Sequence, residues 1–145
     1  MGYLKGETLA GIKQWFRQYL GWITTHPYGI DERNSGNNHS AAWALQVTAF
    51  AQLVGDEPRL ASMRRFFRET LVPEQMAADG SFPRELARTK PYGYSLFQLD
   101  VMGTLAWALS TPGSARLPMG EGCARRSHSC IPSSRTSVPG RSRRT

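Results

Sequence analysis

The first 112 residues contain no cysteine; Cys123 and Cys130 both fall in the C-terminal stretch. That body therefore holds no disulfide framework and no thiolate metal site, and its redox compartment cannot be read from its sequence. No run approaches the ~18–20 apolar residues of a membrane-spanning helix. The start, MGYLKGETLAGIKQWF, lacks the unbroken apolar region of a signal peptide, so no export address is expected. Acidic charge is scarce only at one end. Residues 1–112 carry eleven Lys/Arg against ten Asp/Glu, whereas residues 113–145 carry seven Arg against one Glu. The net charge of +7 thus belongs mainly to the tail, and the body gives no nucleic-acid or membrane-surface signal. No paired-carboxylate signature stands out, which weighs against ordinary glycoside hydrolysis.

What is present is helical. In residues 7–25, Leu9, Ile12, Trp15, Phe16, Tyr19, Leu20 and Ile23 recur at three- to four-residue spacing, and Pro27 stops the pattern. Residues 26–40 read as a polar surface loop, with Gly29, Asp31, Asn34 and Gly36. Residues 41–54, AAWALQVTAFAQLV, read as a helix buried on most sides, with Ser40 as its N-cap and Gly55 just past its end. Asp56 caps a further helix through Leu60, Met63, Phe66 and Leu71, which Pro73 kinks or restarts. Asp79-Gly80 marks a turn, and Pro83 and Pro91 oppose regular structure across residues 81–93. A last helix is expected from about Tyr94 to Ser110. Four helices with no strand between them predict an all-α fold of stacked hairpins. Beyond residue 113, Ser, Arg, Pro and Gly dominate, a composition that predicts a disordered tail. Its Cys123, His128 and Cys130 carry only a weak metal-ligand spacing, so no metal and no organic cofactor is expected.

Two polar clusters hold the chemistry. Asn37, Asn38 and His39 stand at the start of the buried helix. Asparagines there are ordinary turn and cap formers, yet their amides also donate to a carboxylate at a helix N-terminus. His39 is either a surface imidazole or a proton carrier near neutrality. Arg88 is either a solvated partner of Glu85 or a clamp for a carboxylate. Tyr92 and Tyr94 are either packing residues or proton donors. Together amide, imidazole, guanidinium and phenol suit one reaction. They could hold a uronate carboxylate, remove the proton on the carbon beside it and protonate the departing glycosidic oxygen, although their spacing alone marks only a polar site at helix starts.

The order of motifs narrows this. A W-F-x-x-Y-L-x-W helix, N-N-H with Trp43 four residues on, D-G-x-x-P-x-E-L-x-R and Y-S-L-F follow one another across residues 15–109. This arrangement resembles the alginate lyase superfamily of polysaccharide lyases, and the resemblance implies an incomplete (α/α) toroid. It also implies β-elimination on alginate or a related polyuronate, with an acidic polysaccharide as partner and a periplasmic setting. By the same match Asn38 corresponds to a carboxylate-neutralising asparagine, His39 and Tyr94 to proton-transfer residues, and Arg88 to the family arginine. Asn37, Tyr92, Trp22 and Tyr28 are the candidate substrate contacts, with Trp43 more suited to the core. The interval from Arg88 to Tyr94 is one residue short, which keeps Tyr92 open as the catalytic phenol.

Family members are two to three times longer, so residues 1–112 are expected to be part of a toroid. The tail is expected to come from a shifted reading frame. Back-translating Leu117 to Cys130 with G/C-rich codons and moving two nucleotides restores a stretch resembling the family's D-G-R-x-M-x-K-A. Sequencing the gene across the codons for Pro112 to Arg116 tests that expectation, and an intact frame there removes it. Two other functions compete with catalysis. One is an inactive lyase fragment or helical polyanion-binding module; the other is a helical interaction module whose basic tail binds nucleic acid.

Overall fold

A computed structural model describes residues 6–110. It contains seven α-helices: α1 (Gly6–Thr25), α2 (Pro27–Asn34), α3 (Asn38–Val54), α4 (Glu57–Phe66), α5 (Val72–Gln75), α6 (Pro83–Leu86) and α7 (Pro91–Leu109). A π-helical turn, Phe67–Leu71, joins α4 to α5. The described residues contain no strand, and the all-α architecture is that of a partial toroid built from antiparallel helices. No described helix is long and apolar enough to cross a membrane. The expected tail disorder and the Cys123/His128/Cys130 cluster lie outside the described residues.

The core forms around α3, which packs against α1, α2, α4 and α7. Its Ala41, Ala44, Val47 and Ala51 are buried against Leu20 and Ile23 of α1, Leu60 and Met63 of α4, and Met102, Leu105 and Leu109 of α7. The small alanines let the helices approach closely, and Phe67 and Leu71 fill the space below. The burial expected on most sides of α3 is therefore present. Trp43 is 4% exposed, and its indole N–H donates to the Ile23 carbonyl at 3.1 Å. That bond satisfies one of the free carbonyls near the end of α1.

Three local expectations are corrected. Residues 26–40 are not all loop, because α2 occupies Pro27–Asn34. Its low-propensity sequence holds as a helix through its ends and its packing rather than through its own residues. Pro27 fills the first turn, and the His26 ring caps it by accepting the Tyr28 N–H. Gly29 lies so close to the end of α1 that a β-carbon there would overlap the Ile23 carbonyl. The cap of α3 is Asn37 rather than Ser40: the Asn37 side chain accepts the His39 N–H at 3.0 Å, and Ser40 sits one turn inside. Gly36, with φ of 69°, makes the left-handed turn that lets Asn37 begin the helix. Lastly, Pro83 and Pro91 do not oppose structure but open α6 and α7, since a proline in the first turn lacks only an N–H that would go unpaired anyway.

Other expectations are met. Gly55 ends α3 with φ of 76°, and the Asp56 side chain caps α4 by accepting the Arg59 N–H. Ahead of Pro73 the chain widens into the π-helical turn, which absorbs the missing donor without breaking the helix. Asp79 accepts the Ser81 N–H at 2.9 Å within the expected turn.

Candidate active site

A groove of about 690 Å³ runs between α1, α2, the start of α3 and the start of α7. Four of the sequence candidates with polar or catalytic chemistry were Asn38, His39, Arg88 and Tyr94. Asn38, His39 and Tyr94 line the groove together, although 56 residues separate the first from the last. The local reasons are plain. Asn37 starts α3, which places Asn38 and His39 in its first turn, and Pro91 starts α7, which brings Tyr94 to the same end.

Asn38 is 5% exposed and is held by Glu85, which is 1% exposed. The Asn38 backbone N–H donates to Glu85 Oε1 at 2.7 Å, and its amide Nδ2 donates to Oε2 at 3.2 Å. A carboxylate thus caps the N-terminus of α3 from another part of the chain, where the helix dipole favours it. Arg88 Nη1 lies 3.7 Å from the same carboxylate, and the Arg88 guanidinium carbon sits 3.8 Å over the Tyr94 ring centre. Glu85 therefore joins Asn38 to Arg88, and Arg88 in turn reaches Tyr94. Arg88 is not among the groove-lining side chains; it supports Tyr94 from behind.

A buried polar ladder braces the same helix end. Gln98 donates to Gln75 at 2.6 Å, Gln75 donates to the Ser40 hydroxyl at 2.7 Å, and Ser40 donates to the Asn37 carbonyl. These bonds pair all the ladder's side chains, with Gln98 Oε1 alone among them left without a partner, and they tie α5 and α7 to the first turn of α3.

On the open side, His39 Nδ1 lies 2.8 Å from Glu32 Oε2 of α2, with both side chains half-exposed. Trp22 and Tyr28 line the groove and are well exposed, at 44% and 71%. They belong to a string of ring contacts running Tyr19, Trp22, His26 and Tyr28 along one edge. Tyr19 also donates to Gln46 at 3.3 Å, and both residues face the groove. Trp43 contributes a wall while remaining in the core.

Two candidates lie elsewhere. Asn37 spends its amide on the α3 cap and is not part of the groove lining. Tyr92 is 78% exposed and borders a separate shallow depression with Phe82, Leu86 and Leu96. Two residues on a helix point about 200° apart, so Tyr92 and Tyr94 cannot share one face. The groove also contains Glu32, Gln46 and Lys90, none of them singled out in the sequence. Glu85 was legible only as a partner for Arg88. Its second role, as acceptor for Asn38, required the 47-residue contact that folding creates.

Among the described residues no cluster of three or more His, Cys, Asp or Glu side chains is placed to hold a metal ion. Asp79, held below the usual carboxylate range by its bond from the Ser81 backbone N–H, lies outside the groove.

The comparisons with known proteins identify the family. The family model described as Alginate lyase matches residues 2–117. Among solved structures, an alginate lyase from Bacteroides ovatus is 30% identical with a TM-score of 0.65, over 77% of this chain and 32% of that one. The chain therefore spans less than half of the structure it matches. No curated protein is matched. With the family match covering most of its length, the chain belongs to the alginate lyase family.

Proposed function

We propose that this chain carries the reaction centre of a polysaccharide lyase acting on alginate or a related polyuronate by β-elimination. The observation supporting this most directly is that Asn38, His39 and Tyr94 line one groove while Glu85 links Asn38 to Arg88 behind it. In this reading the substrate carboxylate meets the free amide proton of Asn38, with the Arg88 charge close by. Neutralising the carboxylate acidifies the neighbouring carbon, because negative charge then develops onto a group already held by donors. One of His39 and Tyr94 takes the carbon-bound proton. The released electron pair forms the carbon–carbon double bond, the bond to the glycosidic oxygen breaks, and the other residue supplies that oxygen with a proton. Trp22 and Tyr28 offer exposed ring faces for flanking sugars.

Incubation with alginate tests the reading. Growth of ultraviolet absorbance from an unsaturated uronate end, with shorter oligosaccharides by mass, is the expected result. A second reading is binding without turnover, for which the exposed ring faces of Trp22 and Tyr28 in the groove suffice. Saturable alginate binding with no unsaturated product would select it.

A further inference from the structure

The groove would receive a polyanion, yet it contains a carboxylate. Glu32 is its one acidic residue among the described lining side chains, and Lys90 its one lysine or arginine. A carboxylate placed there repels the substrate's own charge, so its presence calls for a compensating role. Its hydrogen bond supplies one. Glu32 Oε2 lies 2.8 Å from His39 Nδ1, and an ionised carboxylate only accepts. The Nδ1 atom must then donate. In a neutral imidazole with the proton on Nδ1, the other nitrogen, Nε2, carries the lone pair.

We infer that Glu32 is a positioning residue that fixes the Nδ1–H tautomer of His39 and leaves Nε2 as the proton acceptor of the groove. The backbone favours the pairing. His39 is in the first turn of α3, where its N–H is tied to Asn37, and Glu32 sits in the last turn of α2. The left-handed turn at Gly36 sets the two helices so that the side chains meet. The proton-transfer consequence rests on the lyase reading above and resolves its open choice: His39 takes the proton, and Tyr94 supplies one to the leaving oxygen. The tautomer itself does not rest on that reading.

The other described histidine provides an internal control. His26 Nδ1 accepts the Tyr28 N–H at 3.3 Å, so its proton sits on Nε2. Two histidines in one chain therefore hold opposite tautomers.

Nitrogen-15 long-range spectra of the histidine rings, recorded well above the ordinary histidine titration range, test this directly. His39 and His26 signals are assigned by their loss in His39→Ala and His26→Ala. The expected result is Nδ1–H for His39, Nε2–H for His26, and a shift of His39 toward Nε2–H in Glu32→Ala, which removes the acceptor. An Nε2–H signal for His39 in the parent, or an unchanged His39 tautomer in Glu32→Ala, would overturn the inference. With alginate, Glu32→Ala should lower kcat about ten- to hundred-fold, the range for carboxylates that orient metal-bound histidines. KM should move less than about threefold. Loss confined to KM, or no loss in an active parent, would count against the positioning role. If the parent shows no turnover, the tautomer spectra still decide the role of Glu32, while the silence counts against the lyase reading alone.

Discussion

Replacing Glu85 with alanine should remove a large part of the stability of the described helical body. The carboxylate is 1% exposed and accepts two hydrogen bonds from Asn38, itself 5% exposed. Without it, a backbone N–H and an amide N–H are left buried with no acceptor, and each such orphan costs about 1–3 kcal/mol. The nearby Arg88 also loses its partner. Arg88 is partly exposed and can be solvated, so the two orphaned Asn38 donors set the expected loss for Glu85→Ala at about 2–6 kcal/mol. Glu85→Gln keeps one acceptor oxygen for the Asn38 backbone but turns a donor toward the Asn38 amide. One orphan plus the lost charge at the start of α3 predicts about 2 kcal/mol. Urea unfolding followed by far-ultraviolet circular dichroism measures both. The expected order is parent, then Gln, then Ala, with similar denaturant slopes. Both variants within about 0.5 kcal/mol of the parent would refute the joining role of Glu85, since that is the range of surface substitutions. A greater loss for Gln than for Ala would refute the hydrogen-bond accounting.

Two further perturbations test the local geometry. Gly36→Ala forces a side chain into the left-handed region at φ of 69° and against the Arg84 guanidinium. It should cost at least about 1–2 kcal/mol in the same unfolding assay, and no cost would contradict the turn that joins α2 to α3. Asp79 is held below the usual carboxylate range chiefly by the Ser81 backbone N–H. Its folded value is below its unfolded one, so its contribution is present above the ordinary carboxylate range and disappears as pH falls through the folded value. The stability gap between parent and Asp79→Ala should therefore narrow on acidification; a gap that widens in acid would contradict the assignment.

Much of this fold is visible in the residue order, and the exceptions have physical causes. The apolar spacing of α1, the buried run of α3 and the caps at Asp56 and Gly55 were legible because each is local. α2 was not, because its helix depends on the tight approach of Gly29 to Ile23 rather than on its own propensity. The prolines at 83 and 91 mislead for a related reason, since the same residue that breaks a helix interior suits its first turn. For the site, the ordered motifs pointed to Asn38, His39, Arg88 and Tyr94. Glu32 was hidden and Glu85 visible only as a partner for Arg88, because both act on α3 only after the chain has folded back. Tyr92 and Tyr94 look alike in sequence, and the turn of α7 separates them.

The central claim, that this groove performs the elimination, is tested most directly by comparing Tyr94→Phe with Tyr92→Phe on alginate. The hydroxyl is the only group removed in each case, so packing is nearly unchanged. The account predicts that unsaturated product formation falls at least about a hundredfold in Tyr94→Phe, the lower range for losing a proton-transfer group, and stays near the parent rate in Tyr92→Phe. Equal rates for parent and Tyr94→Phe, or a loss confined to Tyr92→Phe, would contradict it.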